Sequence, residues 1–105
     1  MEHLDPKDPL RIPHRFAYCF WDVNLVSLRM ENLPFVIARL YEQGGKEGIA
    51  YVEMTFPKTE ILRSIKTRRD FSPKTAEFLR ERYRLDKEDM AYYRFGGGMD
   101  WKRND

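Results

Sequence analysis

Two groups of residues in this sequence could bind a partner. The first comprises Trp21 and Asp22, at the end of the aromatic stretch FAYCFWDV (residues 16–23), together with Arg39. Trp and Arg are enriched at the centres of protein interfaces, where large side chains fill pockets of the partner. These three residues are therefore our candidates for protein binding. For Trp21 and Asp22, however, we favour a structural role, in which Trp21 plugs the core and Asp22 caps the following turn.

The second group lies in the basic segment 58–84, which holds nine basic and four acidic residues in a chain of net charge +2. Such an asymmetry favours nucleic acid or an acidic protein as the partner, although a solvated helix face explains it equally well. The candidate nucleic-acid-binding residues are Arg68, Arg69, Lys74, Arg80 and Arg84.

The order of elements in this segment resembles a helix-turn-helix, with a helix over 58–67, a four-residue turn and a second helix from Ser72. Glu77 and Glu81 would face a DNA duplex and repel it. Arg68 and Arg69 also suit the negative end of the first helix without any ligand. DNA binding is thus an alternative to protein binding.

Catalytic chemistry is poorly represented. His3 and His14 both lie in a Pro-rich segment, where a general base would lack fixed geometry. Cys19 lies between aromatic residues, which indicates a buried, inert thiol. No spacing indicates a metal site or a phosphate-binding glycine loop, so we expect no enzyme, no metal and no cofactor.

The composition is that of one globular domain. The chain has 105 residues, of which 42% are hydrophobic and 14% aromatic, enough for one compact core. The single cysteine cannot form an internal disulfide, and there is no apolar run of membrane-spanning length. We also expect no signal peptide and a cytoplasmic location.

Helical patterns dominate the rest of the chain. Residues 32–45 have the clearest amphipathic pattern, between a possible Asn32 N-cap and a Gly44–Gly45 stop. Residues 57–67 and the Ser72–Pro73 start predict two more helices, and Asp86 begins a short one. Residues 46–56 fit a strand or a helix equally well, and FAYCFWDV is expected to be a short extended segment packed on the core.

The predicted fold is mainly α: a compact bundle of four to five short helices with an extended N-terminal arm. The predicted divisions are a Pro-rich arm at 1–15, one helical domain at 16–94 and a flexible Gly-rich tail at 95–105.

Three motifs resemble a family of small bacterial domains of unknown function. They are FWD at 20–22, FVIARLYEQG at 35–44 and RRDFSPKT at 68–75. The family pairs F-W-D with F-I-x-R-V-L-x-x-G and a later S-R-x-L-S-x-K-T-x-x-F-W, and the resemblance covers residues 13–83. This chain has Thr67, Phe71 and Leu79 where the family has Ser, Leu and Trp.

The resemblance implies a helix over 46–56 and carries no catalytic residues. Members of this family are often encoded beside AbiEii-like nucleotidyltransferase toxins, which implies an antitoxin-like or accessory role. We therefore expect a non-catalytic protein-interaction module with a nucleotidyltransferase-type partner. A helix-turn-helix-like DNA-binding regulator is the alternative.

Overall fold

The computed structural model describes residues 5–95, which are mainly helical, as predicted, and contain no strand. No helix in this range is long and apolar enough to span a bilayer. The α-helices are α1 (Leu33–Gln43), α2 (Gly45–Thr55), α3 (Lys58–Thr67), α4 (Pro73–Arg82) and α5 (Ala91–Arg94). Four 3₁₀ helices accompany them, at His14–Phe20, Leu25–Ser27, Met30–Asn32 and Lys87–Asp89.

Helix α1 is the centre of the fold. Its apolar stripe follows the spacing predicted for an amphipathic helix, and Val36, Ile37 and Leu40 are completely buried. It packs on α2, on α3 and on the first 3₁₀ helix, while α3 also packs on α5. The side chains that these elements direct inward form one hydrophobic core.

The ambiguous segment 46–56 is a helix, as the family resemblance implied. A tight corner brings α2 back against α1: Gly45 has a φ of +63°, in the left-handed region that glycine adopts most easily. Three residues later, a Cβ on Gly48 would lie 2.6 Å from the Leu40 carbonyl oxygen. Gly45 and Gly48 thus allow α1 and α2 to approach closely. The alternating apolar pattern of residues 46–56 did not indicate this contact.

The boundary between α3 and α4 is capped as predicted. The Ser72 Oγ accepts a hydrogen bond from the Thr75 N–H at 3.2 Å, and Pro73 occupies the first helical position. The Glu42 carboxylate of α1 accepts a further bond from the Ser72 N–H at 3.0 Å. At α1 itself, Asn32 occupies the N-cap position, but its Oδ1 accepts from the Arg29 N–H instead of a helix N–H.

The aromatic stretch is not extended, and that prediction was wrong. Residues His14–Phe20 form a 3₁₀ helix whose buried side chains are Phe16, Cys19 and Phe20. A 3₁₀ helix has about three residues per turn, so the side chains of Phe16 and Cys19 lie on the same side of it. The aromatic stretch therefore contributes buried side chains to the core as a 3₁₀ helix.

The described part of the predicted arm lies along residues 28–31. The Leu10 N–H donates to the Leu28 carbonyl at 3.0 Å, and the Met30 N–H donates to the Asp8 carbonyl at 2.9 Å. Leu10 is buried and belongs to the hydrophobic core. Residues 1–4, and all of the predicted tail (95–105) except Phe95, lie outside the described residues.

Candidate protein-binding site

Trp21 lies on the surface, so its predicted role as a core residue was wrong. Its side chain is 67% exposed, whereas its neighbour Phe20 is only 2% exposed. The 3₁₀ helix ends at Phe20, and Trp21 occupies its C-cap position. Asp22 does not cap the next turn either, because the Asn24 Oδ1 accepts the Val26 N–H there.

Asp22 is instead paired with Arg39. The Arg39 Nη1 donates to Asp22 Oδ1 at 2.8 Å and Nη2 donates to Oδ2 at 3.2 Å. Nη1 also donates to the Cys19 carbonyl at 3.0 Å. The hydrogen bond from Arg39 lowers the pKa of Asp22 below its ordinary value, so the carboxylate stays charged. The three residues predicted to bind a protein thus lie together.

Aromatic rings stack on the Arg39 guanidinium. Its Cζ lies 4.8 Å from the centroid of the Trp21 ring and 4.7 Å from that of Phe35. The Arg68 Cζ lies 5.7 Å from the centroid of the same Phe35 ring. We call these four side chains, Trp21, Phe35, Arg39 and Arg68, the stacked cluster.

Tyr18 is a further exposed aromatic side chain, close to Trp21 in sequence. Its side chain is 58% exposed, and its hydroxyl donates to the Gly44 carbonyl at 3.3 Å. Tyr18 belongs to the 3₁₀ helix His14–Phe20, which ends directly before Trp21. Tyr18, Phe35 and Arg68 were not predicted to be parts of this site. The sequence signal that could have indicated the site was the F-W-D motif, because it contains the exposed Trp21.

The five candidate nucleic-acid-binding residues differ in whether their charge is already paired. Arg68 pairs with Asp70 at 2.7 Å, and Arg80 pairs with Glu77 at 2.5 Å. Arg69 stacks on the Phe95 ring at 5.2 Å from its centroid. Among residues 5–95, no acidic side chain lies within ion-pair distance of Lys74 or Arg84.

Other chemistry is sparse in the part of the chain that the structure describes. Cys19 is buried, as predicted, and burial raises the pKa of its thiol, which suits an inert side chain. No group of three or more His, Cys, Asp or Glu within residues 5–95 could hold a metal ion.

Comparison with known proteins adds no relative: no family model, no curated protein and no solved structure matches this chain. The resemblance to the bacterial family therefore remains a prediction that rests on the three motifs.

Proposed function

We propose that this protein is a non-catalytic interaction module that binds a partner protein through the stacked cluster and Tyr18. The observation that carries the proposal is that Trp21 is 67% exposed and yet is held against Arg39. Large exposed rings on a monomer commonly mark interaction sites, and Trp, Tyr and Arg are the residues enriched among binding hot spots.

The cluster is organised before any partner binds. Arg39 is fixed by Asp22 and by the Cys19 carbonyl, and its side chain is only 17% exposed. The Trp21 ring rests on that fixed cation, so binding would restrict few further rotamers. A surface that loses little conformational entropy converts more of its contact energy into affinity.

The charges of the cluster also suit a protein partner. Arg39 and Arg68 each have an aspartate at ion-pair distance, so the stacked cluster and its two aspartates carry no net charge. Removing an unpaired charge from water costs much free energy at a protein interface. A partner that covers Trp21 would not meet this cost in the cluster, because both of its arginines are paired. A phosphate backbone, in contrast, would have to compete with both aspartates.

The motif resemblance suggests the identity of the partner. By that resemblance, the module is antitoxin-like and restrains or assists a nucleotidyltransferase-type toxin. The stacked cluster contains Trp21, Phe35, Arg39 and Arg68, which all lie within the three motifs. This coincidence of motif and exposed surface supports the proposal.

The test is affinity purification from the native host, with and without nuclease treatment, using tagged wild-type protein and the variants Trp21→Ala and Val26→Ala. Val26 is the matched control, because it is 77% exposed and is not part of the cluster. We expect one protein to be recovered with wild type and with Val26→Ala, and recovery to fall about tenfold or more with Trp21→Ala.

Thermal melting of both variants would establish that they are folded. Equal recovery with Trp21→Ala would contradict the proposed surface. Recovery of only nuclease-sensitive material would contradict the proposed partner class and favour the DNA-binding alternative.

A further inference from the structure

A second site lies where α3 begins and α4 ends, and it shares no residue with the stacked cluster. A cleft of about 510 Å³ there is lined by Lys58, Arg82 and Arg84, together with Glu53, Phe56 and Tyr83 among others. Its volume falls within the range of small-molecule sites. Three cations and one carboxylate give it a local excess of positive charge.

Glu53 neutralises only one of the three cations. Its carboxylate accepts hydrogen bonds from Arg82 Nε and Nη2, both at 2.5 Å, and from the Tyr83 hydroxyl at 2.7 Å. The Tyr41 and Tyr83 hydroxyls are also hydrogen-bonded to each other at 2.8 Å. This network fixes Arg82 along one edge, while its Nη1 has no hydrogen-bond partner among residues 5–95.

Among residues 5–95, the other two cations have no carboxylate partner of this kind. Within the described part of the chain, neither Lys58 nor Arg84 has an acidic side chain within ion-pair distance. Both are exposed side chains that line the same cleft. Two uncompensated cations and a third with a free N–H group match a dianion that accepts several hydrogen bonds.

Arg84 occupies a backbone position that normally favours glycine. Its φ is +56°, in the left-handed region, at the end of α4. The Leu85 N–H donates to the Arg80 carbonyl and the Arg84 N–H donates to the Glu81 carbonyl, the bonds of a Schellman motif. Any side chain here strains the backbone, and such strain is concentrated at functional sites. The arginine thus brings a charge into the cleft at a cost in stability.

We propose that this cleft binds the phosphate monoester of a small molecule of about mononucleotide size. The dianionic phosphate would lie among Lys58, Arg82 Nη1 and Arg84, and the rest of the ligand would lie towards Phe56 and Tyr83. A monoester fits better than an internal phosphodiester, because only the monoester carries the second negative charge at neutral pH.

The test is a titration followed by amide chemical shifts in NMR, with adenosine 5′-monophosphate, ribose 5-phosphate and inorganic phosphate as ligands. Neutral adenosine and a dinucleotide with one internal phosphodiester are the controls. We expect saturable shifts at the start of α3 and the end of α4 with the two monoesters, and much weaker shifts with both controls.

The decisive variant is Arg84→Gly, because glycine suits the left-handed backbone and the variant is expected to melt at the same temperature as wild type or a few degrees higher. Its affinity for adenosine 5′-monophosphate should nevertheless fall about tenfold, the effect of losing one charged hydrogen-bonding group. Lys66→Ala, an exposed lysine of α3 outside the cleft, should bind like wild type.

The proposal is overturned if neither monoester shifts these residues, if the dinucleotide binds as tightly as the monoesters, or if Arg84→Gly binds as tightly as wild type. None of these results bears on Trp21, so failure here is distinguishable from failure of the proposed protein-binding function.

Discussion

At the scale of single residues, the Glu77 carboxylate links two helices. It accepts a hydrogen bond from Arg80 at 2.5 Å and another from the Tyr93 hydroxyl of α5 at 2.8 Å. The bond from Arg80, followed by that from Tyr93, lowers the pKa of Glu77 from 4.5 to about 2. The folded state therefore favours the charged carboxylate.

A dependence of stability on pH follows. Because the folded-state pKa is lowered, the contribution of Glu77 to the free energy of unfolding is present above about pH 4.5 and is lost as the pH falls towards 2. We expect Glu77→Gln to reduce stability at pH 7 and to flatten the loss of stability below pH 4.5, as measured by urea denaturation across pH 2–7.

Glu88→Gln is the control for this experiment, because Glu88 is exposed and has no ion pair with a residue in 5–95. The loss of stability of Glu88→Gln below pH 4.5 should match that of wild type. If Glu77→Gln also lost stability below pH 4.5 as wild type does, the hydrogen bonds from Arg80 and Tyr93 to Glu77 would not be part of the folded state in solution.

The residue scale also shows where prediction from sequence stops. Trp21, Asp22 and Arg39 were identified from residue type and motif, and they do lie together. The exposure of Trp21 was not predictable, because it depends on which side chains the folded chain brings over the indole. The positions of Phe35 and Arg68 in the stacked cluster likewise depend on packing between elements distant in sequence.

At the scale of elements, the corner between α1 and α2 depends on the absence of a side chain at Gly48. A Cβ there would lie 2.6 Å from the backbone oxygen of Leu40, and backbone cannot move aside as a flexible side chain can. On helix propensity alone, alanine would stabilise this position by up to about 1 kcal/mol. The close contact reverses the sign of that expectation.

We therefore expect Gly48→Ala to lower the free energy of unfolding by about 1–3 kcal/mol, the usual cost of overpacking a close contact. Chemical denaturation of the variant and of wild type measures this difference in the free energy of unfolding. Ala50→Gly, at an exposed position of the same helix, should cost roughly 1 kcal/mol through propensity only. A stabilised Gly48→Ala variant would show that the two helices do not approach this closely.

The elements differ in how far the sequence specified them. Helices α1 and α4 were predictable because an apolar stripe or a Ser-Pro cap is a local signal. Residues 46–56 were not, because their apolar positions fit both periodicities and the contact of Gly48 with Leu40 is between different helices. The aromatic stretch was misassigned because apolar residues fill nearly all of its positions, and such a run does not show that only Phe16, Cys19 and Phe20 are buried.

At the scale of the whole molecule, at least four of the nine basic residues in segment 58–84 are already paired with a carboxylate. Acidic residues within it pair with Arg63, Arg68 and Arg80, and Glu53 of α2 pairs with Arg82. Charge counted along a sequence does not show which cations are already paired. The exposed aromatic surface and the cationic cleft are two separate features of the fold, and the first carries the central claim.

The most direct test of that claim is photo-crosslinking in the native host with p-benzoylphenylalanine in place of Tyr18, which leaves Trp21 intact. The same group in place of Val26 is the control at a comparably exposed position. The proposed function predicts one light-dependent, nuclease-resistant adduct with a protein from position 18, none from position 26, and its loss when Trp21→Ala is added. Equal adducts from both positions, or an adduct with nucleic acid alone, would contradict it.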